Sequence, residues 1–487
     1  METFDLIVIG SGAGMNVASN AVNSGMRVAV CEHYLMGGTC LNNGCIPSKI
    51  LLYPADVIRK MGDAADLGIK GRVEAVDFAY IMNRMREFVR EDRVGMERGV
   101  QSVDTLVWFR DTAEFVEDYA VKVGKKTITA PKIIIASGSR TLIPAIPGLK
   151  ETGYLDNISV LELKQLPKSI IIMGGGYIAC EYGHFFSALG TQVTVIGRNP
   201  RLLKREDPDI SDVVKKRFSK FAKIYTNYEA VRVEKEGDQK AVLAKNRADN
   251  KVYKFKAEEI MVAIGRRSNA DYLKPEKTGV ETHRGGWIKV DEYLETTKPG
   301  IWALGDALGK HMFRHTANYE SGIVWRNAFT EHKAATDYHA VPHAVFGYPQ
   351  VGAVGLTEPA ARQAGYAVMV GKARYTDVAK GFAMGEDWGL AKVIVEAESR
   401  RILGAHILGS EASDLVQQIV YLMNAGNQDY MPLVDSQIIH PALSEVVINA
   451  FANLTMPGHE HGHGHQHEHQ NAQRQKGRGG HGHQHEH

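Results

Sequence analysis

The chain has little cysteine, no long apolar run and no excess of charge of either sign. Its 487 residues include four cysteines, too few for the disulfide frameworks that hold small secreted domains together. No apolar stretch approaches the ~18 residues that a membrane-spanning helix needs. Because 58 Lys and Arg are balanced by 56 Asp and Glu, the composition gives no reason to propose a nucleic-acid or membrane partner.

The N-terminus also lacks the pattern of a secretory signal, since METFDLIVIG carries acidic residues and then enters an apolar strand. We therefore expect a cytoplasmic protein whose cysteine chemistry is confined to one site. The hydrophobic fraction of 44% is ordinary for a globular chain. At roughly 100–200 residues per domain, the length predicts about three or four domains.

Glycine is abundant, with 49 residues, and much of it lies in short loops that follow apolar β-branched runs. An apolar strand, a glycine loop, a helix and a second strand occur in this order twice. The strands of the two units are predicted at residues 4–9, 27–31, 169–173 and 192–196. Such a unit is typical of nucleotide-binding folds, so the chain is predicted to contain two of them.

Other parts of the chain have different patterns. Residues 73–100 combine helical spacing with many charges, which predicts a solvent-facing helical insert. Strand-like runs follow at residues 106–109, 119–123 and 132–136. From about residue 341 to 454 strands are followed by helices, which predicts a separate α+β domain.

The glycine loop of the first unit is a candidate phosphate-binding loop. Its third motif position, usually Gly or Ala, is Met15, so we expect slightly different packing of helix on strand. Glu32 ends the second strand, where a carboxylate accepts hydrogen bonds from a ribose diol. The loop residues are Gly10, Ser11, Gly12 and Gly14.

A pair of cysteines follows directly, in the segment GGTCLNNGCIPSK at residues 37–49. Cys40 and Cys45 are separated by a glycine-containing loop that leads into a predicted helix, and a helix N-terminus favours the thiolate. Two buried structural cysteines or a zinc site are alternatives, but no second Cys or His pair lies nearby at metal-ligand spacing. The pattern therefore predicts a redox-active dithiol.

This segment resembles the active-site signature of the flavin-dependent pyridine nucleotide–disulfide oxidoreductases. The resemblance covers about residues 1–456 and is greatest to the dihydrolipoamide dehydrogenase and mycothione reductase branches. It implies an α/β fold of two Rossmann-like dinucleotide-binding domains and a C-terminal α+β dimerisation domain. The implied boundaries are 1–152 and 271–340 for FAD binding, 153–270 for NAD(P) binding and 341–456 for dimerisation.

The resemblance also implies roles for individual residues. Cys45 would be the thiolate in charge-transfer contact with the flavin, and Cys40 the interchange thiol that attacks the substrate disulfide. Lys49 would lie near the flavin N5 atom and pair with Glu181. The residues implied to bind FAD are Gly10, Ser11, Gly12, Gly14, Glu32, Gly38, Thr39, Lys49, Ala113, Ser137, Gly138, Gly305 and Asp306.

A histidine near the end of the folded part is the candidate acid–base group. His440 begins the segment HPALSE and is followed by Glu445. Thiol–disulfide exchange needs a group that takes and returns a proton near neutral pH, and a carboxylate fixes the histidine tautomer. The resemblance implies that both residues act on the Cys40–Cys45 pair of the other subunit of a homodimer.

The second unit is the candidate NAD(P) site. The position that carries an acid in many NAD-binding chains is Gly197, and cations follow it. The absent carboxylate and the nearby guanidinium favour a 2′-phosphate, so we expect NADPH over NADH. The residues predicted or implied to bind this nucleotide are Gly174, Gly176, Tyr177, Ile178, Arg198, Lys204 and Gly265.

The expected substrate is a small disulfide or dithiol. No motif distinguishes lipoamide from a sugar-thiol disulfide. A mercuric reductase would carry a further cysteine pair near its C-terminus, and no cysteine follows Cys180. Cys31 and Cys180 match no catalytic position and are predicted to be core thiols.

Residues 457–487 have a composition of their own and are expected to be disordered without a ligand. Alternating imidazoles suit Ni, Cu or Zn, so a metal-handling flavoprotein is the alternative function, and a purification tag is the other interpretation. The candidate metal ligands are His459, His461, His463, His465, His467, His469, His481, His483, His485 and His487.

Overall fold

A computed structural model describes residues 1–456. These residues form two parallel sheets, each with helices packed on it, and one large antiparallel sheet near the C-terminus. Within them, no helix is both long and apolar enough to cross a membrane.

In the N-terminal part, the second strand, whose four residues are all buried, is followed by a glycine loop and a helix. Its strands are β1 (Glu2–Thr3), β2 (Leu6–Ile9), β3 (Val28–Cys31), β4 (Leu106–Phe109), β5 (Ala113–Glu117), β6 (Ala120–Val123), β7 (Lys126–Thr129), β8 (Lys132–Ile135) and β9 (Ser139–Thr141). Its helices are α1 (Gly14–Asn23), α2 (Gly38–Asn43), α3 (Cys45–Asp63), α4 (Phe78–Gln101) and α5 (Leu149–Thr152).

The middle part repeats the order of strand, glycine loop and helix. Its strands are β10 (Ser169–Met173), β11 (Gln192–Gly197), β12 (Ala222–Thr226), β13 (Tyr228–Glu236), β14 (Gln239–Asn246), β15 (Val252–Ala257), β16 (Glu259–Val262) and β17 (Arg266–Ser268). Its helices are α6 (Tyr177–Ala188) and α7 (Pro208–Phe218). The parallel sheet has the order β12-β11-β10-β16, and β13, β14 and β15 form an antiparallel sheet beside it.

The chain then returns to the first sheet. The elements are α8 (Ala270–Leu273), β18 (Ile301–Ala303) and α9 (Arg314–Phe329). β18 pairs with β8 and completes a parallel sheet of order β18-β8-β2-β3-β4. The core of this sheet therefore combines residues from both ends of the first 330 positions.

The C-terminal part is an antiparallel sheet of order β19-β20-β23-β22-β21 with helices packed on it. Its strands are β19 (Pro342–Val345), β20 (Val351–Gly355), β21 (Val368–Arg374), β22 (Leu390–Glu396) and β23 (Ile402–Leu408). Its helices are α10 (Glu358–Gln363), α11 (Ala379–Ala383), α12 (Ala412–Met423), α13 (Met431–Val434) and α14 (Ser444–Ala452).

The predicted fold class is confirmed, since two parallel nucleotide-binding sheets precede a C-terminal α+β part. The interpretation of residues 73–100 as a solvent-facing insert is wrong in one respect. The apolar residues of α4 recur every three or four positions, so one face of the helix packs against α3 while the charges occupy the other. The buried residues of that face are Phe78, Met82, Met85 and Val89.

Candidate active site

The two glycine loops begin in the same way. Gly10 follows β2 with φ +105°, and Gly174 follows β10 with φ +141°. A Cβ on Gly10 would lie 2.2 Å from the carbonyl oxygen of Ala136, and one on Gly174 would lie 2.1 Å from that of Ala263. Only glycine fits at either position, because each loop turns against the end of a neighbouring strand. The backbone therefore opens to a phosphate at the carboxyl end of both sheets.

Close packing of α1 on its sheet depends on Gly14. A Cβ on Gly14 would lie 2.8 Å from Cγ1 of Val8 and 2.9 Å from Cβ of Ala136. Met15 is only partly buried and packs at the edge of this core. The close approach of helix and strand is thus made at Gly14, and the expectation that Met15 alters their packing stays a prediction.

Glu32 ends β3 and is fixed by the same loop. Its Oε2 atom accepts hydrogen bonds from the backbone N–H and the hydroxyl of Ser11, at 3.0 and 2.8 Å. Its Oε1 atom accepts one from the N–H of Tyr34, at 2.9 Å. A carboxylate has about four acceptor sites, so these three donors leave room for a ribose hydroxyl.

A cavity of about 980 Å³ runs from the first glycine loop to the two cysteines. Of the residues implied to bind FAD, all but Gly14 line it. Two buried polar atoms in its wall, Oγ of Ser137 and Oδ1 of Asn43, have no hydrogen-bond partner within residues 1–456. An elongated cavity with a glycine cradle and unpaired polar atoms fits a large dinucleotide such as FAD.

The two cysteines lie at the start of separate helices. Cys45 is the first residue of α3, whereas Cys40 lies in the short helix α2. The predicted loop between them is therefore replaced by a helical turn that ends at Gly44. The hydrogen bond between the two thiols lowers the pKa of Cys40 to about 7, although burial opposes this, and it raises the pKa of Cys45.

The two thiols thus titrate as a coupled pair, and the hydrogen bond between them favours the thiolate at Cys40. The assignment of Cys45 as the thiolate in contact with a flavin stays a prediction.

A half-buried ion pair joins the cysteine helix to the second unit. Nζ of Lys49 donates to both carboxylate oxygens of Glu181, at 3.0 and 2.9 Å. Glu181 is buried on α6 and also accepts a hydrogen bond from the N–H of Phe346. Lys49 is thereby held at the cavity wall, four residues along the helix from Cys45.

Arg314 was not anticipated from the sequence. It is the first residue of α9 and lines the cavity, where its Nη1 atom would lie 4.0 Å from a Cβ on Gly12. Its charge contributes to the lowered pKa of Cys40. No local motif marks it, because it reaches the cavity that the cysteines line only after the chain returns to the first sheet.

Glu320 was also missed. It is 1% exposed, and it accepts hydrogen bonds from the N–H of Gly305 at 2.6 Å and from the hydroxyl of Tyr338 at 2.8 Å. Burial raises its pKa to about 7. It supports the turn that carries Asp306, whose carboxylate accepts a hydrogen bond from the hydroxyl of Ser139 at 2.6 Å.

The residues predicted for the second nucleotide fall into two groups. Tyr177 and Ile178 begin α6 and line the large cavity beside Cys45 and Lys49. Arg198 and Lys204 are exposed beyond the carboxyl end of β11. The loop glycines of the second sheet that lie outside the cavity wall are Gly174, Gly176 and Gly265.

His440 and Glu445 contact each other but lie away from the cavity. Nδ1 of His440 lies 2.7 Å from Oε1 of Glu445, and Oε2 of Glu445 accepts the N–H of Ala442 at 2.9 Å. These hydrogen bonds, that of His440 first, lower the pKa of Glu445. The His440 side chain is 72% exposed, so within one chain the structure does not bring it to Cys40.

Residues 1–456 contain no group of three or more His, Cys, Asp or Glu side chains arranged to hold a metal ion. The candidate metal ligands predicted between His459 and His487 lie outside the described residues.

Comparison with known proteins agrees with this geometry. The sequence profile of the pyridine nucleotide-disulphide oxidoreductases matches residues 4–321, and that of their dimerisation domain matches residues 341–451. The chain therefore belongs to the pyridine nucleotide-disulphide oxidoreductase family.

Several curated relatives align over most of the chain. Mycothione reductase from Mycobacterium tuberculosis is 36% identical, over 93% of this chain and 100% of its own length. Dihydrolipoyl dehydrogenase from Chlamydia muridarum is 33% identical, over 91% and 95%. Mercuric reductase from Staphylococcus aureus is also 33% identical, over 85% and 76%.

The fold matches a solved flavoprotein disulfide reductase. The Cu(II) complex of the HOCl-induced enzyme RclA from Escherichia coli has a TM-score of 0.83 and 29% identity, and the match covers 93% of this chain and 99% of that chain. FAD and a pyridine nucleotide are the cofactors expected of such a family member.

Proposed function

We propose that the protein is a cytoplasmic, homodimeric, NADPH-dependent FAD enzyme that reduces a low-molecular-weight disulfide. The observation that carries the proposal is the Cys40–Cys45 pair in the wall of the FAD-sized cavity, beside the Lys49–Glu181 ion pair. The second unit carries cations at the position that distinguishes NADPH from NADH, and an enzyme that uses NADPH is expected to reduce a disulfide rather than to oxidise dihydrolipoamide with NAD. Among family substrates, a sugar-thiol disulfide of the mycothione type is therefore favoured over lipoamide.

The residues of the cavity have separate tasks in this proposal. Bound FAD would supply a two-electron carrier between the nicotinamide and the Cys40–Cys45 disulfide. The backbone at Gly10 and Gly12 would hold its pyrophosphate, Glu32 its ribose and Asp306 its ribityl chain. Lys49, held in place by Glu181, would present a cation near the redox centre, and Tyr177 would cover the nicotinamide pocket.

The dithiol then reduces the substrate in two exchanges. The Cys40 thiolate attacks one sulfur of the substrate disulfide, whose S–S bond breaks as a mixed disulfide with Cys40 forms and the first thiolate leaves. Cys45, as thiolate, attacks Sγ of Cys40, which releases the second substrate thiolate and closes the Cys40–Cys45 disulfide. A pKa of about 7 keeps a large fraction of Cys40 ionised at neutral pH.

The partner's His440 would supply the protons. Its Nδ1 atom is held by Glu445, which leaves Nε2 free to give a proton to each departing thiolate. His440 is exposed on its own chain, and neither residue of the pair lines the cavity of that chain, which supports a role at the cavity of a second copy.

A panel of steady-state rates tests the proposed function. Mycothione, glutathione and lipoamide disulfides are each offered with NADPH and with NADH. The proposal expects the highest kcat/KM for a sugar-thiol disulfide with NADPH. Greater turnover of lipoamide with NADH would contradict it and favour a dihydrolipoyl dehydrogenase.

The preference for NADPH has a test of its own, the double variant Gly197→Glu/Arg198→Met. A Cβ at Gly197 meets nothing closer than 3.5 Å, so a side chain can begin there without a clash. One charge-assisted contact is worth about 1.5–3 kcal/mol, so the ratio of kcat/KM for NADPH over NADH should fall about 10- to 100-fold. An unmoved ratio would refute the assignment.

A second candidate function is metal handling. Ten histidines alternate with small and polar residues within residues 457–487, and one solved relative is a Cu(II) complex. If the tail binds metal independently of catalysis, truncation after Met456 abolishes uptake of Ni, Cu or Zn and leaves disulfide turnover intact. Loss of turnover in that truncated protein, with FAD still bound, would contradict this separation.

A further inference from the structure

The loops that follow two neighbouring strands of the second parallel sheet lie side by side at the carboxyl ends of the strands, and the surface between these loops is here named the groove. β11 and β12 run parallel, with Gly197 opposite Thr226 at their ends. The chain beyond Thr226 bends at Asn227, which has φ 68° and whose N–H donates to the carbonyl of Asn199 at 2.8 Å. Ligands of open parallel sheets bind at such carboxyl ends, so the loop after Gly197 faces the adenosine end of a nucleotide.

Arg247 reaches this groove from a distant part of the chain. It follows β14, and its own N–H donates to the carbonyl of Asn227 at 2.9 Å. Its Nη1 atom donates to the carbonyl of Arg198 at 3.2 Å. The guanidinium of Arg247 is thus held beside the backbone that carries Arg198, although 49 residues separate them.

The cations at the groove differ in whether a carboxylate pairs with them. Arg201 is paired with Asp212, at 3.1 Å between Nε and Oδ1. Arg198, Lys204 and Arg247 are exposed and form no ion pair with any carboxylate in the described part of the chain. Three unpaired cations around one loop suit a doubly charged phosphate, and two of a guanidinium's donors match its oxygens.

We infer that Arg247 is a third ligand of the nucleotide 2′-phosphate and, with Arg198 and Lys204, sets the preference for NADPH. This inference rests on the proposed use of NADPH. Arg247 lies after β14 and contributes to the choice of NADPH over NADH, although no motif spacing along the sequence connects it with the glycine loop.

The test measures binding of 2′,5′-ADP and of 5′-AMP to the FAD-containing enzyme by calorimetry. Arg247→Gln should raise the Kd of 2′,5′-ADP about tenfold, the loss of one charge-assisted contact, without a matching change for 5′-AMP. The same variant should lower the NADPH-over-NADH ratio of kcat/KM by a similar factor. Arg201→Gln is the matched control, since its charge is already paired, and should change neither ligand.

A double variant separates direct contact from support of Arg198. If Arg247 binds the phosphate itself, Arg198→Met/Arg247→Gln binds 2′,5′-ADP more weakly than Arg198→Met. The inference would be overturned if those two proteins bound 2′,5′-ADP equally well, or if Arg247→Gln left the Kd of 2′,5′-ADP unaltered. The proposed use of NADPH would still stand in that case, provided that Arg198→Met weakens binding of 2′,5′-ADP. If the wild type bound 2′,5′-ADP and 5′-AMP equally well and Arg198→Met changed neither affinity, the proposed NADPH use would be overturned as well.

Discussion

At the level of single residues, the two cysteines differ in their surroundings. Cys40 lies in α2 within the influence of Arg314, whereas Cys45 begins α3 near Lys49 and Tyr177. The two thiols titrate as a coupled pair. Which of them carries the thiolate decides which one attacks the substrate and which one contacts the flavin.

The first prediction concerns Cys45. Cys45→Ser should still bind FAD, because the glycine cradle is untouched, but should lose the long-wavelength charge-transfer absorbance on reduction. Cys40→Ser is the matched control and should keep that band, since the Cys45 thiolate remains. A band of full strength in Cys45→Ser would show that Cys45 does not contact the flavin.

The second prediction concerns Arg314. A thiolate reacts with iodoacetamide and a thiol does not, so alkylation of Cys40 in the reduced enzyme should accelerate as pH rises through about 7. Arg314→Met removes a stabilising positive charge and should move this midpoint upward by roughly one pH unit. Peptide mass spectrometry across a pH series measures the rate.

Arg326→Met serves as the control, because Arg326 lies in the last turn of the same helix and does not line the cavity. Its midpoint should remain that of the wild type. Equal midpoints in Arg314→Met and the wild type would mean that Arg314 does not stabilise the Cys40 thiolate.

At the level of elements, local patterns predicted much of the fold. The bounds of β4 and β10 agree with the predicted strands, because each is a short run of apolar residues with a clear boundary. The pairing of β18 with β8 was not predictable, since strand order depends on contacts across more than 160 residues. The packed face of α4 was misjudged because charged residues lie between its apolar positions along the sequence.

The same limit applies to the site. The glycine loops, the cysteine pair and the His440–Glu445 pair each form a contiguous motif, so the sequence indicates them. Arg314, Glu320 and Arg247 reach their positions through long-range contacts, and a lone Arg or Glu in a sequence carries no local signal.

The third prediction concerns a buried charge between elements of two domains. Lys392 on β22 is 2% exposed, and its Nζ atom contacts Asp207, Asp209 and Glu358 at 2.8–2.9 Å. Lys392→Met would leave the fully buried Asp207 carboxylate uncompensated. The free energy of unfolding should therefore fall by about 3–5 kcal/mol, measured by urea denaturation of the FAD-containing protein.

Lys372→Met is the control for this variant. Lys372 also contacts Asp209, at 2.8 Å, but its side chain is 51% exposed, so it should cost less than about 1 kcal/mol. If the two substitutions lowered the free energy of unfolding equally, burial of the Lys392 charge would not be the cause of the destabilisation.

At the level of the whole molecule, two features point to a second copy. The C-terminal part matches a dimerisation domain. On α3, the helix that begins at Cys45, three large apolar side chains one turn apart are exposed, a pattern that marks an interaction surface. These residues are Tyr53, Val57 and Met61.

The proposed sharing of the active site between two subunits predicts complementation between two inactive proteins. Cys45→Ser lacks a working dithiol, and His440→Ala lacks the proton donor, so each homodimer should lose most disulfide reduction with NADPH. In a heterodimer, the intact cysteines of the His440→Ala chain meet the intact histidine of the Cys45→Ser chain. One of the two sites is then complete.

The most direct test is therefore the activity of this heterodimer, isolated with two different affinity tags after co-expression. The account predicts about half of the wild-type activity per dimer, because one of two symmetric sites is restored. A heterodimer of Cys40→Ser and Cys45→Ser is the control and should stay inactive, since both of its sites lack a cysteine. A Cys45→Ser/His440→Ala heterodimer no more active than its parent homodimers would contradict the shared site.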